Sequence, residues 1–384
     1  MAQDVFREVS SRGWLSRIGG SIKGVLVGLI LFFVAIPLLF WNEGRSVKTY
    51  RSLKEGAAAV TTIPVDSVNA AQEGTLVHLT GQATTESVLN DQDFGISDNA
   101  IKLSRRVEMY QWVEEKDSET KKKLGGGEET VTTYRYEKEW SDDDIDSGDF
   151  KHPEGHINPS EWTWTSEEWV ASPVRVGAFE LSDGLVSQID NYEDYDAKAE
   201  TLPESLRERV KSRMGGYYVG ADPEKPEVGD LRVSFSVVRS GPVSIVARQE
   251  GSALKSYQTK AGDAIEMLST GERTSAEMFK AAQDANKFIT WLIRLAGFFM
   301  MFIGLAMIMK PLSVLADVVP FIGNIVGFGT GLFAFLIALV VSLVTIAIAW
   351  IVVRPVLGIG LLVAALGASF GLRKLRSTKP VVAS

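Results

Sequence analysis

The chain has 384 residues, a formal charge of −8 and no cysteine, which excludes disulfides, thiolate nucleophiles and Cys-ligated metals. Residues 42–287 hold 45 of the 48 acidic and 29 of the 40 basic side chains, so that segment carries −16 and the remainder +8. A segment this acidic lacks the basic footprint that nucleic acid requires, and no nucleic-acid partner is expected.

Residues 1–23 read as a basic cytoplasmic tail. Val5, Phe6, Val9, Trp14, Leu15 and Ile18 alternate with Arg7, Arg12 and Arg17, which predicts a short amphipathic helix over 5–18 on the membrane surface, or a disordered tail. Gly24–Trp41 is the first apolar stretch. A bilayer core about 30 Å thick needs roughly 20 apolar helical residues, and this run nearly meets that length. No small-residue cleavage site accompanies it, so it reads as an uncleaved anchor.

Residues 42–287 read as a soluble, strand-rich extracytoplasmic domain. Runs with two-residue periodicity or β-branched character predict strands at Thr75–Thr84, Arg106–Glu114, Thr130–Trp140, Val174–Leu181, Leu231–Val238 and Val243–Gln249. Gly125, Gly126 and Gly127 fit a hairpin tip, 141–149 an acidic loop, and Glu204–Met214 a short helix. Thr274 and Glu277 have capping-box spacing and predict a helix running into the second apolar stretch, 288–309. Pro311 is expected to end that stretch. The glycine-rich segment 310–331 is then expected to be membrane-embedded or re-entrant. Two further spans follow at 332–353 and 355–372, and 373–384 forms a basic cytoplasmic tail.

The fold class so predicted is an α+β membrane protein with four transmembrane helices, one N-terminal and three C-terminal, and a large β-rich extracytoplasmic domain between the first and second. Arg7, Arg12, Arg17 and Lys23 precede the first span, and Arg373, Lys374, Arg376 and Lys379 follow the last. Basic flanks stay in the cytoplasm, which places both ends inside and 42–287 outside.

Two triplets, Gly20/Gly24/Gly28 and Gly323/Gly327/Gly331, place glycines on one helix face. Such spacing serves homo-oligomerisation or close packing within one chain. Arg294 lies inside the second span. An intramembrane charge is a functional candidate by default, although this one is near enough to the interface to snorkel. Trp162, Trp164 and Trp169 cluster as a possible interaction surface, an aromatic belt or core packing. His152 and His156 have metal-ligand spacing, but Pro153 and Gly155 place them in a loop. Gly367-Ala368-Ser369-Phe370-Gly371 imitates a hydrolase nucleophile turn in a segment with no histidine nearby. No catalytic, cofactor-binding or metal-binding residue is assigned.

The ordered set Trp41–Arg45, Val107–Glu114, Tyr134–Trp140, Asn158-Pro159, Gly297–Gly304 and Pro311–Asn324 resembles the transmembrane protein 43 (LUMA) family across nearly the whole chain. The resemblance implies a multi-pass protein without catalytic residues. In animals such proteins sit in the endoplasmic reticulum and inner nuclear membrane, self-associate and organise complexes that include emerin and lamins. The acidic, Cys-free domain fits a bacterial inner-membrane member. The expected function is a non-enzymatic scaffold that self-associates in the lipid bilayer and organises other membrane proteins. The alternative is a ligand-sensing regulator, and a channel, transporter or envelope enzyme is a remoter one.

Overall fold

The computed structural model describes residues 4–353. The predicted span 355–372, the tail 373–384 and the Gly367–Gly371 motif lie outside the described residues. The chain forms two compact units. One is β-rich and comprises the described residues through Val9, Ser52–Glu119 and Val131–Ala281. The other is helical and comprises Ser10–Arg51, Thr120–Thr130 and the described residues from Ala282.

Two large sheets and two two-stranded ones build the β-rich unit. The eight-stranded sheet takes its strands in the order Asp4–Arg12, Glu128–Ser141, Lys102–Lys122, Leu231–Val238, Gly216–Val219 and Val210–Arg213, with Glu193–Tyr195 and Glu167–Val170 paired off this path. The second sheet includes Gly241–Glu250, Ala253–Lys255, Phe179–Glu180, Arg175–Val176 and Leu76–Thr84 in that order, and pairing of the first with the last closes them into a ring. Register follows burial. Leu231, Val233, Phe235 and Val237 turn inward at every second residue, and Val233 lies opposite Val107. Ile245 lies opposite Leu79, both fully buried. These side chains join Phe94, Ile96, Phe179 and Tyr217 in one continuous core.

Among the described residues, three helices are long and apolar enough to cross a membrane. They are α1 (Trp14–Ala59), α3 (Ser275–Ala316) and α4 (Pro320–Val353); the short α2 is Asp183–Ser187. The capping box forms as predicted: Thr274 Oγ1 accepts from the Glu277 amide at 3.3 Å, and Glu277 accepts from the Thr274 amide at 2.8 Å. The backbone and side-chain hydrogen bonds from Thr274 hold the Glu277 carboxyl below its usual range.

Three expectations need correction. Residues Asp4–Arg12 form a strand, not an amphipathic helix, because the edge of a sheet satisfies a backbone that a short isolated helix cannot hold. Glu204–Met214 is not a helix. A single 3-10 turn at Glu204–Leu206 leads into strand Val210–Arg213, which pairs back on Gly216–Val219 through Met214 and Gly215. Both turn residues have positive φ, 47° and 76°, matching the tight hairpin turn whose twist suits paired strands. Finally, 310–331 is not a separate re-entrant loop. Lys310–Ala316 continues α3 through Pro311, and Pro320 opens α4, which runs unbroken to Val353. Proline removes one donor and is tolerated within a helix where neighbours re-satisfy the backbone, and it is preorganised for a helix's first turn.

Candidate functional site

Within the helical unit, α1 and α3 touch backbone to backbone. A methyl group at Gly28 would fall 2.5 Å from the Gly304 carbonyl oxygen, and one at Gly304 would fall 2.7 Å from the Gly28 carbonyl oxygen. A methyl group at Gly297 would fall 2.6 Å from the Leu39 side chain. Small residues admit this approach where lipid supplies no hydrophobic drive between helices. Ala35, Leu39, Met301 and Ala338 fill the seam between α1, α3 and α4.

The predicted glycines divide. Gly28 is spent on α3; a methyl group at Gly24 would reach Met307 at 3.8 Å, one at Gly323 would clash with Asp317, and one at Gly327 would fall 3.0 Å from Ser313 Oγ. A methyl group at Gly20 or Gly331 would meet nothing within 4 Å.

Polar clusters mark both ends of this seam. At one, Arg294 binds Glu43 through two hydrogen bonds of 2.6 and 2.8 Å. Trp350 Nε1 donates to the same carboxylate at 2.7 Å, and the Arg294 guanidinium lies 4.7 Å from the Trp291 ring centre. One helical turn away, Arg45 donates to Asn286 and Thr290, while Asn42 donates to the Thr290 carbonyl. Glu43 is 2% exposed, so its charge is sustained by these donors and not by water. Arg294 is therefore paired with Glu43 and is not a lone charge.

At the other end, Arg17 binds Asp317 at 2.6 Å and Glu128 at 2.9 Å, and Lys122 reaches the second Asp317 oxygen at 2.7 Å. Trp14 Nε1 donates to the Val314 carbonyl, the Gly125 amide to the Val318 carbonyl, and Arg17 to the Gly126 carbonyl. The glycine tip predicted at 125–127 thus docks against the first turn of α1 and the α3–α4 turn. Lys and Arg counts orient spans and carry no information about which loop docks where.

Arg17 and Glu43 are separated by about 39 Å along α1, and Arg294 and Asp317 by about 35 Å along α3, at 1.5 Å per helical residue. Those lengths lie between the hydrocarbon thickness of about 30 Å and the full bilayer of about 40–45 Å. The two charged clusters are thus spaced to suit the two faces of a bilayer.

The tryptophan trio is placed differently. Trp162, Trp164 and Trp169 pack against the core of the β-rich unit, with Trp164 5.2 Å from Phe94 between ring centres. Trp169 flanks Arg105, which is 3% exposed and binds Asp91, Asp93 and Glu167. A cavity of about 330 Å³ in this unit is lined instead by residues that include Trp140, Met214, Tyr218 and Arg232. His156 spends its ring nitrogens on the His152 carbonyl and Asp4, and its ring stacks on Tyr136. Among the described residues no group of three or more His, Asp or Glu could hold a metal.

Sequence reasoning missed Glu43, Trp350, Arg17, Lys122 and Asp317. Asp317 carried a readable signal as the lone acidic residue after residue 287.

The fold defines a membrane protein with an apolar helical bundle and an inserted β-rich unit. Comparison with known proteins agrees. The transmembrane protein 43 family profile matches residues 109–355. Mouse transmembrane protein 43 is 37% identical over 356 residues, covering 89% of this chain and 88% of the mouse protein. The human protein is 36% identical over 357 residues, covering 90% and 88%. The Drosophila melanogaster homolog is 34% identical over 355 residues, covering 90% and 92%. The chain belongs to the transmembrane protein 43 family. No solved structure matches it.

Proposed function

We propose that this protein is a non-enzymatic membrane scaffold that self-associates through its helical unit and organises other membrane proteins. The observation that carries the reading is how little of the bundle is used internally. In the most apolar stretches of α1, α3 and α4, only 17%, 17% and 22% of residues are buried within the chain. Lipid covers such a surface, and so do further helices. Gly331, where an added methyl would meet nothing within 4 Å, offers a second helix a close approach on α4. Gly327 is already occupied by Ser313 and serves packing within the chain. The absence of cysteine favours a bacterial inner membrane for the assembly.

The mass of the full chain in lipid nanodiscs, by light scattering or native mass spectrometry, tests this. A defined oligomer is expected, and Gly331→Leu should lower its mass without affecting insertion. A monomer, or an oligomer indifferent to Gly331→Leu, would overturn self-association through this face.

A further inference from the structure

Beside the Arg17 cluster lies a cavity of about 270 Å³, whose lining includes Arg12, Ser16, Arg17, Gly20, Glu128 and Lys310. Its charges do not balance. Arg17 and Lys122 are matched by Asp317 and Glu128, which leaves Arg12 and Lys310 as surplus cations. Among the described residues neither of these side chains has a hydrogen-bond or ion-pair partner. Arg17 is held by its carboxylates and the Gly126 carbonyl, so it shapes the wall and adds field while its own donors are committed. Ser16 contributes a hydroxyl, and Gly20 adds no side chain of its own to the α1 wall of the cavity.

Position gives the ligand its character. The cavity extends from the charged cluster to Gly24, where the apolar stretch of α1 begins. That is the depth at which lipid phosphates meet the hydrocarbon edge. Its volume falls just below ordinary small-molecule pockets, which begin at about 300 Å³. It is too small for a whole lipid and roomy enough for a phosphate with part of its glycerol. Basic pockets between membrane helices bind anionic headgroups through charge-assisted hydrogen bonds, and an arginine and a lysine with a nearby hydroxyl form a suitable donor set.

We propose that this cavity binds a phosphate group, presented by the headgroup of an anionic phospholipid, between Arg12 and Lys310. The inference rests on α1 and α3 crossing a bilayer and not on self-association. Its test reads lipid retention, separately from oligomeric mass.

The experiment is native mass spectrometry of the full chain in detergent, titrated with dioleoyl phosphatidylglycerol or with dioleoyl phosphatidylcholine. The wild type is expected to retain phosphatidylglycerol roughly tenfold better, as two basic groups at an anionic surface warrant. Arg12→Gln with Lys310→Gln should bring the two lipids to parity. Gly20→Leu leaves every charge in place and fills the cavity, and it should also abolish the preference. Phosphatidylglycerol unaffected by millimolar inorganic phosphate identifies the lipid as the ligand. Displacement by inorganic phosphate supports the phosphate chemistry and assigns the free anion. Equal retention of both lipids by the wild type, or a preference that survives the double substitution, overturns the proposal.

Discussion

In the β-rich unit Leu79, Phe94, Ile96 and Phe179 have no exposed surface; in the helical unit Leu26, Ile30, Phe33 and Phe328 are all more than half exposed. The residue types are alike, and their surroundings differ. The first unit is stabilised by withdrawing apolar surface from water. The second faces a medium as apolar as itself, so burial contributes little. Its geometry is left to glycine contacts and to charges that lipid cannot solvate. This difference explains why the buried ion pairs of the bundle lie at its ends and why its middle is closed by Gly28 and Gly304.

The contrast can be broken or sharpened by substitution. The largest effect should come from Glu43→Ala, which leaves Arg294 enclosed without its carboxylate. Removing one partner of a buried pair costs about 3–5 kcal/mol. Thermal unfolding in nanodiscs, followed by tryptophan fluorescence, would register it. Arg294→Ala combined with Glu43→Ala should cost less than the two single losses added together.

A comparable loss, about 3–5 kcal/mol, is expected for Phe94→Ala in the β-rich core. Leu336→Ala on α4, half exposed, removes an apolar side chain from a lipid-facing position and should shift stability by no more than about 0.5 kcal/mol. Equal costs at Phe94 and Leu336 in the same unfolding assay would erase the distinction between the units.

Gly28→Ala tests the helix contact. The added methyl meets the Gly304 backbone, and forced separation of α1 and α3 should cost about 1–3 kcal/mol. The same substitution at Gly20, where the added methyl would meet no atom within 4 Å outside its own turn of helix, should show no such loss in that unfolding assay.

The subtlest effect is alkaline. Burial, reinforced by the hydrogen bond to Glu114, pushes the Tyr136 phenol up to about 12. Because the folded state holds this proton more tightly than the unfolded chain, the stabilisation is present below the ordinary tyrosine value near 10. It is lost as pH rises from there through about 12. Ultraviolet titration should show one tyrosinate transition near pH 12 that is missing in Tyr136→Phe.

How much was legible depended on how local the cause was. Apolar length revealed α1 and α3, the Thr274/Glu277 spacing revealed where α3 starts, and three consecutive glycines revealed the hairpin tip. Each signal is contained within a few turns of chain. Glu43 and Arg294 lie 251 residues apart, and neither announces the other. The N-terminal strand is misread because its partner, Glu128–Ser141, also lies far along the chain, while its own residues permit a helical pattern. Pro311 was read as a terminator on a rule that holds in water and relaxes inside a helical bundle. The glycine triplets were visible as a face, but only coordinates separate Gly28 and Gly327, already packed, from Gly20 and Gly331, left open.

The measurement that bears most directly on the contrast between the units exploits the Cys-free chain. Single cysteines at Phe33, Ile303 and Leu336, and at Phe94 as a core control, would be spin-labelled in nanodiscs and their collisions with oxygen and a water-soluble nickel chelate compared. The account predicts that labels at Phe33, Ile303 and Leu336 favour oxygen strongly, as lipid-facing sites do, while the label at Phe94 meets neither reagent. Nickel access at Phe33, Ile303 and Leu336 equal to that of a water-exposed loop would contradict it.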